Sequence, residues 1–343
     1  MSWEEEVSEK ENRANRPPEL VAKPSWVRQI APWFAAAGIL GYVFYKVPFA
    51  QVAQELKGVS LAAVIVGYLV YTLAYYLTDA LSFWRCYSRY NLAISFGEVF
   101  KLRLASYLVQ ALNGAVTEVL TVLYLYRRHR VPVLESGSSA MFVYFFETYN
   151  MILAISISLV LVPDLRHLRG LGPALVAACL LAWVFLPLWL LYWHTGLRHR
   201  LWPSLQEKKV FTAFAQAKLS HYPEIWIYRV IPVVASVWTT IVIFRSMGVT
   251  APTGLLVAVV PLVINVTYWP VSAGGMGGPQ LAADILLRGY ATSAQAVAWS
   301  LIWSAVFLLT RTLTGIFFIR PVWREAFRDS AVPAASGAPG AQV

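Results

Sequence analysis

Charge is scarce in this chain. Of 343 residues only 13% are Asp, Glu, Lys or Arg, about half the roughly 25% of an ordinary soluble domain, which excludes a water-filled exterior over most of the surface. Cysteine is nearly absent: Cys86 and Cys179 are the only two, and both fall in or beside apolar stretches, so neither a disulfide framework nor a zinc site is expected. Four aspartates supply no Asp-x-Asp metal clamp. The five histidines (His129, His167, His194, His199, His221) lack paired ligand spacing. There is no Gly-Lys-Ser/Thr phosphate loop and no His-Glu-x-x-His zinc helix. No catalytic residue, metal or cofactor is therefore expected, and the chain does not read as an enzyme.

What is abundant is apolar and aromatic. Hydrophobic residues make up 58%, including 14 Trp, 18 Tyr and 17 Phe, with a mean hydropathy of +0.56. Such a chain is counted in membrane spans of about 20 residues. Six stretches read as full spans: 30–47, 60–83, 136–162, 173–194, 225–246 and 293–319. Aromatic residues gather near several ends, at Tyr42 to Tyr45, Phe83-Trp84 and Trp189 to Trp193, as interfacial anchors do. Residues 1–29 and 321–343 read as disordered cytoplasmic tails, the first too acidic at its start to be a signal peptide.

Two further apolar stretches are interrupted. Residues 104–126 contain Asn113-Gly114 and then Glu118. Residues 254–290 begin with a 16-residue apolar run ending at Trp269, which rises only about 24 Å as a helix against a hydrocarbon core of roughly 30 Å. Pro270 to Pro279 follow, and then a short helical piece through Arg288.

The net charge of +10 helps to place these stretches. If both are re-entrant, 20 of the 28 Lys and Arg fall on one side, as the positive-inside rule requires. If the first crossed instead, Arg127, Arg128, Arg130 and the five basic residues between Arg198 and Lys218 would move outside. Both termini are then cytoplasmic, in a cell (inner) membrane. The basic residues border apolar spans, so the partner is a membrane surface, anionic phospholipid above all, and not nucleic acid. The same unit then appears twice in opposite orientation, over about 60–162 and 225–319. Each has a helix, a broken hairpin and a new helix, the inverted repeat common in transporters. The alternative is that Gly and Pro merely kink ordinary spans. The expected fold is all-α and polytopic, with about six full spans plus two re-entrant helical hairpins.

Trp269-Pro270-Val271-Ser272-Ala273-Gly274-Gly275-Met276-Gly277-Gly278-Pro279-Gln280 resembles the Pro-x-x-x-Gly-Gly-x-Gly-x-x-Glu pattern of the flippase-like transmembrane region of lysylphosphatidylglycerol synthases. The first half is similar too, with Arg85, the amphipathic Ser95 to Leu104 segment, the Asn113-Gly114 break, Glu118, Arg127-Arg128 and Glu147. The resemblance covers roughly residues 30–320. It departs at Gln280, where the family usually has Glu, at Asn113 to Glu118, where a Pro and a Gly-Glu pair are common, and at Thr148 to Asn150. It implies a diverged, stand-alone member without the aminoacyl-transferase domain.

The expected function is movement of a phospholipid or lipid-linked headgroup between leaflets. The alternatives are a small-solute or ion transporter, or a non-transporting partner of a separate enzyme; homo-oligomers are also open. Ionisable groups inside spans cost about 2.5–3.5 kcal/mol each, so Glu118, Glu147 and Arg311 draw attention. Glu147 and Arg311 lie at similar depth, which allows an ion pair or a shared headgroup. Glu118 in the first break suits a cation, a proton or an amine. Asn113 and Gly114 form that break. Gly274, Gly275 and Gly277 could offer backbone N–H groups to phosphate, or simply permit close helix packing. Gln280 and Arg288 complete the expected binding set. Asp79 and Arg229, each four residues from an expected span end, read as snorkelling to the interface.

Overall fold

A computed structural model describes residues 26–112, 117–162, 172–267 and 275–327. Among them every element is helical. α1 (Trp26–Lys46) turns by 86° into the amphipathic α2 (Phe49–Gly58). α3 (Leu61–Tyr90), α4 (Phe96–Leu112), α5 (Thr117–His129), α6 (Val133–Leu161) and α7 (Gly172–His194) follow. Three short helices, α8 (Leu197–Arg200), α9 (Pro203–Gln206) and α10 (Thr212–Gln216), lead into α11 (His221–Ser246), α12 (Thr253–Val266), α13 (Gly278–Leu286) and α14 (Ser293–Phe327). Five of these, α3, α6, α7, α11 and α14, are long and apolar enough to cross a membrane, or six if the bent α1–α2 pair is counted as one span. The six expected spans are thus all helical.

Their boundaries correct the sequence reading where packing adds what hydropathy omits. α3 was expected to stop at 83 and runs on to Tyr90. Its last two turns bury Cys86, Tyr87 and Tyr90, and Arg85 and Arg89 are paired with Glu224. α14 was expected to give way to a tail at 321 and continues to Phe327 through Pro321, because Val322 is buried and Glu325 accepts a hydrogen bond from the Tyr124 hydroxyl at 3.3 Å. Residues 26–29, expected in the first tail, lie in α1. The amphipathic 95–104 segment and the first arm of the 104–126 stretch form one helix, α4. Ser60 caps α3 by accepting from the Ala63 amide at 3.3 Å. α2 was not foreseen.

The remaining helices are short. α4, α5, α12 and α13 rise about 26, 20, 21 and 14 Å, less than the roughly 30 Å hydrocarbon core. α5 packs beside α4, and α13 beside α12.

The centre is an antiparallel seam between α3 and α11, marked from end to end by Gly67–Thr239, Asp79–Arg229 and Arg89–Glu224 contacts. α4 lies against α14, and α12 against α6. Both crossings are closed by glycine. A Cβ on Gly315 would overlap the Leu108 backbone, and one on Gly254 would lie 2.8 Å from Leu161 Cβ. α7 is the outlier, packed on α6 along part of one side and largely bare elsewhere.

Candidate functional site: a buried ionic chain

α3 presents Asp79 to the interior, 18 residues from Leu61 and 11 from Tyr90, or about 27 and 16 Å along the axis. Its side chain is 1% exposed. A bare carboxylate cannot persist there. Asp79 Oδ2 accepts from Arg103 Nε at 2.8 Å and from the Tyr107 hydroxyl at 2.8 Å, both on α4. Asp79 Oδ1 accepts from Arg229 Nη1 of α11 at 2.7 Å. Each guanidinium then reaches a second acid. Arg103 Nη1 lies 2.8 Å from Glu118 Oε1 at the start of α5, and Arg229 Nη2 bonds Glu147 of α6. Tyr144, also on α6, donates to Glu118.

The result is a continuous chain, Glu118–Arg103–Asp79–Arg229–Glu147, in which each residue comes from a different helix. Its middle is sealed, with Arg103 and Arg229 at 1% and 3% side-chain exposure, while the ends, Glu118 and Glu147, are 23% and 31% exposed. Phe83 covers the Arg103 guanidinium, its ring centre 3.8 Å away. Arg311 stands on the far side of Tyr107, 4.9 Å from that ring and 4.5 and 4.3 Å from those of Tyr75 and Phe307, and donates to Gln110. Three carboxylates and three guanidiniums therefore occupy one neighbourhood.

Beside Glu147 a cleft opens, with about 50 Å³ of room for water-sized molecules, enough for a few waters. It is lined by Tyr71, Tyr75, Asn150, Arg229 and Asn265, and by Pro232 and Pro261 inside α11 and α12. Asn150 Oδ1 accepts from Trp226, but its Nδ2 is buried with no hydrogen-bond partner among the described residues.

These contacts revise several expectations. Asp79 and Arg229 do not snorkel. Because α3 and α11 extend past their expected ends, both lie deep and bond each other. Glu147 takes Arg229 as its partner, where Arg311 was the expected candidate. Glu118 and Glu147 are joined through the chain. Arg103, Tyr107, Tyr144 and Gln110 were missed. Arg103 had a signal, a lone guanidinium among Val99, Leu102, Leu104 and Ala105, but it was counted with the basic residues of a cytoplasmic segment.

The second break is built differently. Gly275 and Gly277 have φ of +75° and +88°, which a side chain would disfavour. A Cβ on Gly277 would meet the Ala36 carbonyl oxygen of α1 at 3.0 Å. Gln280 is fully buried. Its Oε1 accepts from the Gly277 amide at 2.6 Å and its Nε2 donates to Ser304 Oγ at 3.0 Å, while Ser304 Oγ donates to the Gly275 carbonyl at 2.7 Å. This network ties the break to α14. Arg288 is exposed, 3.8 Å from Asp284. Asn113, Gly114 and Gly274 lie outside the described residues.

Residues 29–315 match the family model of the lysylphosphatidylglycerol synthase TM region. The chain belongs to this family. The match takes in all five members of the ionic chain and both breaks. No curated protein and no solved structure matches it. This member of the lysylphosphatidylglycerol synthase family is a multi-pass membrane protein, and its buried acids and arginines sit inside the region that defines the family.

Proposed function

We propose that this chain moves a phospholipid or lipid-linked headgroup between the leaflets of the cell membrane, with both termini cytoplasmic and without an enzymatic step of its own. The observation that carries this reading is the ionic chain, whose partly exposed ends meet different surroundings while its middle stays sealed. A headgroup entering beside Glu147 would find an acid and an unpartnered amide donor on Asn150. The acyl chains would remain in the bilayer.

The packing also supports two re-entrant hairpins in an inverted repeat. Exchange α3, α4, α5 and α6 for α11, α12, α13 and α14, and part of the neighbour relations is preserved, while the α3–α6, α6–α11 and α5–α14 contacts have no counterpart of like extent. α3 lies on α11, the α4–α14 crossing corresponds to α12–α6, and α4–α5 corresponds to α12–α13. Short helices whose backbone breaks lie at membrane depth must be covered by protein or line a wet cavity, and transporters place such breaks at the substrate.

The small size of the cleft favours a second reading, a small-solute or ion transporter with a narrow aqueous path. Reconstituted vesicles carrying fluorescent phospholipids separate the two. The expected result is faster loss of inner-leaflet protection from a membrane-impermeant quencher than in protein-free vesicles, slowed by Glu147→Gln at least about tenfold, the rate equivalent of one lost charge-assisted hydrogen bond. No acceleration with anionic, zwitterionic or lysylated lipids would overturn the lipid reading.

A further inference from the structure

The outer ends of α4 and α5 and the last turn of α14 meet in a second polar cluster, apart from the buried chain. Glu98, in the first turn of α4, accepts twice on one oxygen. Its Oε1 lies 2.8 Å from the Tyr124 hydroxyl and 2.7 Å from His129 Nε2, both near the end of α5. The same hydroxyl also reaches Glu325 Oε2 of α14 at 3.3 Å. A phenol carries one proton, so it cannot serve both carboxylates at once. With both acids ionised, a positive charge beside them offsets their repulsion, and His129 is placed to supply it. His129 is 24% exposed, so its proton exchanges with water, while Tyr124 is buried.

The other charges nearby do not take that role. Arg127 and Arg128, on the same turn of α5, are engaged in contacts of their own. Lys101 of α4 and Arg324 of α14 are exposed. From α6, Glu135 lies 3.6 Å from Lys209. A neutral imidazole can still donate to Glu98, but only the imidazolium adds charge, and histidine ordinarily changes charge between about pH 5 and 8. The turn that carries Glu325 is also separable from the rest of α14. Pro321 interrupts the helical hydrogen-bond ladder four residues before Glu325. Beyond it Val322 is buried, while Trp323 and Arg324 are exposed.

We infer that Glu98, Tyr124, His129 and Glu325 form a proton-binding clamp. A proton taken from water onto His129 holds the last turn of α14 against the α4–α5 pair, and its return to water frees that turn. The clamp is closed at the acid side of histidine's range and opens as pH rises through it. It stands whether or not the chain moves lipid, because it concerns helix docking alone.

Thiol labelling of the full chain in detergent tests this. The maleimide reaction of Val322→Cys reads release of the turn, and its rate is divided by that of Trp323→Cys, an exposed neighbour, to remove the thiol's own pH dependence. Cys86 and Cys179 are buried and stay in place. The ratio should rise about threefold from about pH 6 to about pH 8.5, as a partly exposed charge pair predicts, in a range where ordinary carboxylates stay ionised. His129→Gln should give the high ratio at both pH values. His129→Arg keeps a fixed charge and should hold the ratio low at both, a gain of protection at high pH that folding damage does not produce. Glu325→Gln removes one of the two carboxylates and should flatten the response. A ratio that ignores pH in the chain with His129, a pH response that survives in His129→Gln or Glu325→Gln, or a high ratio at high pH in His129→Arg would each overturn the clamp.

Discussion

Two guanidiniums and a phenol converge on Asp79, whose side chain is almost wholly buried. Removing its charge would leave Arg103 and Arg229 each with one acid in place of two. Breaking one partner out of a buried ion pair costs about 3–5 kcal/mol. Asp79→Asn should therefore lower the melting temperature in detergent far more than Glu147→Gln, because Glu147 is at an exposed end and Arg229 would keep Asp79. Equal melting shifts for the two variants would refute the central role given to Asp79. The acids and Arg311 were conspicuous in the sequence because charge is rare in apolar spans. Their partners were not, since pairing depends on helix rotation and on neighbours up to 150 residues away. Gln280 is a similar case. Its motif was legible, but its use as an internal tie between Gly277 and Ser304 was visible only once α13 and α14 were packed.

Among the helices, hydropathy located the long elements well and misjudged their ends. The charged turns at Arg85 and Arg89 read as loop because no partner was in view; Glu224 supplies it. The short helices were harder, since a run too short to cross gives no sign of what covers its end. Glycine decides one such contact. α4 approaches α14 at Gly315, where a Cβ would collide with backbone and not with a flexible side chain. Gly315→Val should push the two helices apart, loosen the Arg311–Gln110 contact about one turn away, and cost about 1–3 kcal/mol by overpacking. Thermal unfolding of the purified variant measures this. A similar change at Gly137, which a Cβ would leave without a close neighbour, should cost less.

At the scale of the whole molecule, topology is the property to test. Cys86 and Cys179 are buried and can be left in place during labelling with a membrane-impermeant maleimide. Single cysteines introduced at Lys101 and Arg128 stand in the second turn of α4 and the last turn of α5, at the two outer ends of the pair. If that pair is re-entrant, both label from the same side of sealed vesicles. Labelling from opposite sides would make α4–α5 a crossing and would remove the inverted repeat.

The sequence by itself determined the class of protein, the six long apolar stretches, the two interruptions and the family, because hydrophobicity is a sum over neighbouring residues and needs no tertiary information. It also marked Glu118, Glu147 and Arg311 as groups that require an account. Only the tertiary structure decided how deep Asp79 and Arg229 lie, that Arg103 joins two acids, and that Glu147 bonds Arg229. A buried charge is stabilised by whichever opposite charge the packing brings within about 3 Å, and five helices had to be assembled before that partner existed.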